Sequence, residues 1–176
     1  MKTAIALGLA VAMAAALPAC REPPPCSSPA SPHRSSCTDR CCGDGNNPPT
    51  SGGHCPTTLP CRVYTSEQLR CQWLHNLEHG HLVLLHNCPD GCPEIVSALE
   101  AIWQSRPAGS NGARRAVLAP DAKIPGAVAA VVWGHSWVGD AVDQAEIDAV
   151  IAHQDEAGVP EPGLLCAPQR RSAVAP

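Results

Sequence analysis

The chain has 176 residues, a formal charge of −4 and 16% charged residues, and its two lysines, Lys2 and Lys123, belong to no basic run. That length sets the expectation of one domain with a tail, and a mildly acidic, Lys-poor chain excludes a protein that grips nucleic acid through its phosphates. Composition and pattern also exclude collagen-like, coiled-coil and polytopic membrane classes.

At the front, Lys2 precedes an apolar run from Ala4 to Leu17 that is too short for a settled transmembrane helix. The run ends in Leu17-Pro18-Ala19-Cys20, and small residues before a cysteine resemble the lipobox of bacterial lipoproteins. Residues 1–19 therefore read as a lipoprotein signal peptide and Cys20 as the lipidated new N-terminus. The alternative is an ordinary signal peptide cut at A-x-A, with Cys20 a structural cysteine. Acyl chains would anchor the protein to a membrane without a spanning segment. Arg21, rather than Asp, follows the cysteine, which by resemblance to diderm lipoproteins favours the outer membrane.

Residues 20–47 are rich in Pro, Ser, Gly and Cys and lack hydrophobic periodicity, so they read as a tether that cannot build a core. Beyond Cys20 there are ten cysteines: Cys26, Cys37, Cys41, Cys42, Cys55, Cys61, Cys71, Cys88, Cys92 and Cys166. In an exported chain an even set predicts disulfides, whose pairing the sequence leaves open. The competing reading is a thiolate metal site, given the close pairs Cys41-Cys42 and Cys88/Cys92. Cys88-Pro-Asp-Gly-Cys92 has a three-residue spacer with a turn signal, which favours a structural disulfide over thioredoxin-like chemistry.

Patterned sequence begins at residue 48 and runs to 163, with 164–176 a C-terminal tail. Leu82–Leu85, flanked by His81 and His86, predicts a buried strand. Pro93 opens a helix with Ile95, Leu99 and Ile102 on one face. Ala116–Ala119, stopped by Pro120, and Ala127–Trp133, stopped by Gly134, predict two further strands. Asp143 and Glu146 form a capping-box-like start to a helix carrying Ile147, Val150 and Ile151, ended by Gly158 and Pro160. The order β-α-β-β-α predicts a small, single α+β domain with helices packed on one sheet and disulfides reinforcing a core without Phe.

Three segments in order, Pro48–His54 (PPTSGGH), His75–Gly80 (HNLEHG) and Val131–Trp137 (VVWGHSW) leading to Pro160–Gly163 (PEPG), resemble a bacterial domain-of-unknown-function family, number 3105. The resemblance implies an extracytoplasmic, often membrane-tethered setting and brings no established activity. His54, His75, Glu78 and His79 lie on matching positions. Cys55, His81 and His135 depart from the family's pattern, so no role passes to His81 or His135.

Six of the chain's eight histidines, His54, His75, His79, His81, His86 and His135, fall inside the family-like region. Imidazole suits Zn and Cu, and a carboxylate such as Glu78 can complete or orient a site. A helix over 73–79 puts His75 and His79 one turn apart on one face; an extended segment puts His79 and His81 together instead. The leading expectation is a cell-envelope lipoprotein that binds Cu or Zn, or a small ligand, at His54, His75, Glu78 and His79, with an unknown envelope partner. The alternative is a non-catalytic structural or protein-interaction module, its histidines hydrogen-bonded to backbone. Third, His75-Asn-Leu-Glu-His79 matches H-x-x-E-H, the pattern of a zinc hydrolase, which would need another ligand such as Glu146 or Glu156.

Overall fold

The computed structural model describes residues 43–166. Residues 1–19, read above as a signal peptide, and Cys20, Cys26, Cys37, Cys41 and Cys42 lie outside the described residues.

Three helices and a four-stranded mixed sheet form one small α+β domain: α1 (Arg70–Glu78), β1 (Leu82–His86), α2 (Pro93–Ser105), β2 (Ala116–Pro120), β3 (Val128–Val132), β4 (His135–Gly139) and α3 (Gln144–Ile151). Spatially the strands run β2-β1-β3-β4. α2 is the crossover that makes β1 and β2 parallel, with Leu84 opposite Leu118. β3 returns antiparallel to β1 with Leu84 opposite Ala130, and β4 completes a hairpin with β3. Gly134, at φ +78°, supplies the left-handed residue in that turn.

Period-two alternation assigns the two faces. Leu82, Leu84, Ala116, Leu118, Val128, Ala130 and Val132 pack against Leu99 and Ile102 of α2 and Ile147 and Val150 of α3. Val83, Leu85, Val117, Ala119, Ala129 and Val131 pack against Trp73, Leu74 and Leu77 of α1 and Leu59 and Tyr64 of the preceding chain. The two helices expected from periodicity thus share one face, and α1 covers the other. The helix starts match expectation: Pro93 stands in the first turn of α2, and the Asp143 carboxylate accepts from the Ala145 and Glu146 amides.

Two features differ. β4 continues the chain that Gly134 was expected to stop; as a half-exposed edge strand it lacks the apolar run that marks β1 and β3. Moreover, α3 ends at Ile151, well before Gly158. There His153 N–H bonds Val150 O and Gln154 N–H bonds Ile151 O, tightening the chain into turns.

Every cysteine among the described residues is disulfide-bonded, so none of these sulfurs stands ready as a thiolate ligand. Cys61 joins Cys166 across 105 residues, and Cys88 joins Cys92 across four; Cys55 and Cys71 are likewise bonded. Loop-closure entropy makes the long ring worth about 5 kcal/mol and the short one about 2 kcal/mol. Among the described residues no helix is long and apolar enough to cross a membrane.

Candidate metal centre

The site begins in the loop before α1. Asp44 accepts hydrogen bonds from Thr50 Oγ1 at 2.7 Å, Ser51 Oγ at 3.0 Å and the Thr50 and Asn46 amides, folding the Pro-Pro-Thr-Ser segment back on itself. Gly43 and Gly53 pair as a bridge. Gly52, at φ +94°, lies so close to Gly43 that a Cβ would fall 2.6 Å from its carbonyl, so the loop requires glycine there. Gly134 N–H donates to Thr50 O at 3.0 Å, tying the loop to the β3–β4 turn. The outcome is His54 with 0% exposure, aimed at α1.

α1 carries apolar and polar buried residues together. Trp73, Leu74 and Leu77 enter the core, while His75, Asn76 and Glu78 are buried against the preceding chain. The Asn76 amide behaves as a strand edge: it accepts from Leu59 N–H at 2.8 Å and donates to Leu59 O at 2.9 Å. The helix ends in a Schellman motif, with Gly80 N–H on Leu77 O and His81 N–H on Asn76 O around Gly80 at φ +71°. Arg115 Nη2 donates to the His79 and Gly80 carbonyls at 3.1 and 2.6 Å, placing a guanidinium at the negative helix end, and Asp155 holds that guanidinium from behind.

Five side chains converge at this end. His54 Nε2 lies 2.9 Å, and His75 Nε2 3.6 Å, from Glu78 Oε2. His79 Nε2 lies 3.1 Å from Glu161 Oε2, and Glu161 is delivered by its own backbone N–H on Glu78 O at 3.0 Å. The rings of His54 and His75 stand 4.7 Å apart, those of His75 and His79 4.6 Å. His54, His75 and Glu78 form one group whose ligand atoms lie mutually within 4.8 Å, and Glu78, His79 and Glu161 form a second that shares Glu78. Burial grades outward, from His54 at 0% to the Glu161 side chain at 53% exposed, so the cluster opens to solvent at one end.

All four residues singled out from sequence are therefore together, and the helical reading of 73–79 holds, with His79 as the C-cap. Sequence reasoning missed Glu161. Its signal was present in the PEPG block of the family resemblance, but 82 residues separate it from His79. The ligands offered for the hydrolase pattern are elsewhere: Glu146 lies exposed on α3, and Glu156 pairs with His135 at 2.5 Å and His153 at 2.6 Å.

Hydrogen bonding fixes part of the protonation. The 3.0 Å contact of His54 Nδ1 with Gly52 O puts a proton on Nδ1 and leaves Nε2 as a lone pair facing the Glu78 carboxylate. Two acceptors at 2.9 Å require a proton or a cation between them: a proton on His54 Nε2, a proton on the Glu78 carboxyl, or a metal ion. Burial, partly opposed by the Glu161 and Glu78 carboxylates, holds the His79 imidazole below its ordinary pKa, in the neutral form that ligates metal.

His81 stands beside the cluster without joining it. Its Nε2–H donates to Leu164 O at 2.8 Å, and its Nδ1 receives the Asn76 amide at 3.1 Å. Burial, only partly opposed by the Leu164 bond, pushes its pKa down to about 4 from 6.5. Between those values the unfolded chain binds the proton and the folded chain does not, so stability is full above about pH 6.5 and falls as pH drops toward 4. The expected loss is roughly 3 kcal/mol. Urea unfolding at pH 7 and pH 4.5 should show it, and His81→Gln should flatten the difference; an unchanged difference would rule the assignment out.

The class so defined is a disulfide-stapled α+β domain built around a His/Glu cluster that could hold a metal ion. The family described as protein of unknown function (DUF3105) matches residues 37–168, three quarters of the chain, and the chain belongs to that family. No curated protein and no solved structure gives a significant match.

Proposed function

We propose that this chain is a cell-envelope lipoprotein whose domain binds one transition-metal ion, Cu or Zn, through His54, His75 and His79, with Glu78 and Glu161 completing the set. The observation that carries this reading is the convergence of three imidazoles and a buried carboxylate, with His54 Nε2 2.9 Å and His75 Nε2 3.6 Å from Glu78 Oε2 and the His79 ring 4.6 Å from that of His75. An all-nitrogen-and-oxygen set of imidazole and carboxylate suits Zn(II) and Cu(II) and disfavours Cu(I). Glu78 Oε2 lies against two imidazoles at once, which supports a ligand's role for this carboxylate. The lipobox-like Leu17–Cys20 segment supports the membrane anchor.

The test is metal content by mass spectrometry. Oxidised protein starting at Cys20→Ser should carry about one equivalent of Cu or Zn when both are offered, and His79→Ala should lose it. Folded, fully disulfide-bonded protein that takes up neither metal would overturn the reading and return the histidines to the structural role.

A further inference from the structure

Away from the His/Glu cluster, the β1–α2 junction carries a disulfide that adds little to the fold. Cys88 and Cys92 are only four residues apart, so their bond removes far less chain entropy than Cys61–Cys166 across 105. Neither is buried: both are partly exposed, on either side of the exposed Pro89-Asp90-Gly91 turn. Cys88 lines a groove with His86, Pro89 and Pro120 at the carboxyl ends of the parallel strands β1 and β2, the end of an α/β crossover where ligands commonly bind. Cys92 is the N-cap of the 13-residue α2, and its side chain makes no capping hydrogen bond. A ring nitrogen of His86 lies within 4.8 Å of both sulfurs, and His86 Nδ1 is buried with no hydrogen-bond partner.

We propose that Cys88–Cys92 is a thiol–disulfide exchange site that oxidises a dithiol entering the groove beside Cys88. The thiolate of the incoming dithiol bonds Cys88 Sγ, the S–S bond breaks, and its electron pair leaves on Cys92 Sγ. That leaving thiolate forms at the positive end of α2, which favours its departure. The second thiol of the substrate then attacks the substrate sulfur of the mixed disulfide and expels Cys88 Sγ. The substrate ends as a disulfide and the protein as a dithiol, two electrons having passed to the protein. The two substrate protons end on Cys88 and Cys92, with His86, held neutral by burial, as an acceptor within reach. No external oxidant enters this single exchange.

The shared chemistry is a pair of thiols, and the two probes distinguish its source. Oxidised full-length protein is mixed anaerobically with dithiothreitol or with a reduced two-cysteine peptide, then alkylated and mapped by mass spectrometry while far-UV circular dichroism follows the fold. Cys88–Cys92 should open at least about tenfold faster than Cys61–Cys166, with the dichroism unchanged. In Cys92→Ser, Cys88 is a lone thiol; offered the same two-cysteine peptide in its disulfide form, its thiolate should attack a peptide sulfur and hold it as a mixed disulfide, since no Cys92 thiolate remains to release it. Faster reaction with the peptide assigns the groove to polypeptide substrates, and faster reaction with dithiothreitol assigns it to small thiols. Opening of Cys88–Cys92 no sooner than Cys61–Cys166, or only with loss of fold, would overturn the proposal without bearing on the metal centre.

Discussion

Glu78→Gln should weaken metal binding by about two orders of magnitude while leaving the metal-free domain as stable as the parent. The buried carboxylate is shared by both halves of the cluster, lying 2.9 Å from His54 Nε2 and 3.6 Å from His75 Nε2. Glutamine keeps the shape but removes the charge that balances a divalent ion, and affinity should fall by at least about 100-fold. In the absence of metal, the glutamine amide can donate to the lone pair on His54 Nε2, so the neutral pair is satisfied without any added charge. Metal at 100 times its dissociation constant stabilises the parent by about 2.7 kcal/mol, roughly 10 °C in melting temperature for a domain of this size. The same concentration should move the variant by less than about 2 °C. Glu161→Gln, at the exposed mouth, should weaken binding only about tenfold, because water there screens the lost charge. A purely structural pair of protonated His54 and Glu78 predicts the opposite pattern: Glu78→Gln would lower the metal-free melting temperature, and metal would raise neither protein. Thermal melts of the three proteins with and without Zn distinguish the two.

That contrast depends on contacts whose visibility in the sequence was uneven. α2 and α3 were legible because their signals are local: Pro93 in a first turn, Asp143 as an N-cap, and apolar residues repeating at the helical period. β1 and β3 were legible because a strand covered on both faces is apolar throughout. α1 was not, and the reason is physical. Its buried His75, Asn76 and Glu78 are polar residues satisfied by partners far away in the chain, so the helix carries no apolar stripe over that face. The fourth strand was hidden for a related reason, since an edge strand with one half-exposed face needs no strong hydrophobic run.

The candidate site shows the same division. His54, His75, Glu78 and His79 were legible from residue type and from the family resemblance, with the helical spacing of His75 and His79 as one of two open readings. Glu161 arrives through a backbone hydrogen bond to Glu78 O, a contact no spacing rule encodes. The disulfide partners were also illegible, because pairing depends on which loops the sheet brings together. Once Cys61–Cys166 is seen, the placement of Glu161 has a mechanical explanation. The segment 161–166 is fastened at several points: Glu161 N–H to Glu78 O, Gly163 N–H to Asp155, Leu164 O to His81, Cys166 O to Asn111, and the disulfide itself.

Removing that disulfide in Cys61→Ser/Cys166→Ser should therefore produce the largest loss of stability of any change considered for this domain. The ring it closes spans 105 residues and encloses the whole sheet, and its loss frees the unfolded chain by about 5 kcal/mol. For a domain whose total stability is about 5–15 kcal/mol, that is a third or more of the whole, and the melting temperature should fall by roughly 15–20 °C. The same double substitution at Cys88 and Cys92, closing only four residues, should cost about 2 kcal/mol or less. The long ring has a second consequence, because it ends five residues beyond Glu161. With Cys166 released, the hydrogen bonds at Glu161, Gly163 and Leu164 must hold the segment without the staple, and each is worth only about 1 kcal/mol. Metal affinity should then fall toward that of Glu161→Gln, whereas Cys88→Ser/Cys92→Ser should leave it unchanged. Differential scanning calorimetry with a zinc titration on the two double variants reads both effects. Equal stability losses in the two would refute the ring-size argument, and unchanged zinc affinity in Cys61→Ser/Cys166→Ser would separate Glu161 from the staple that positions it.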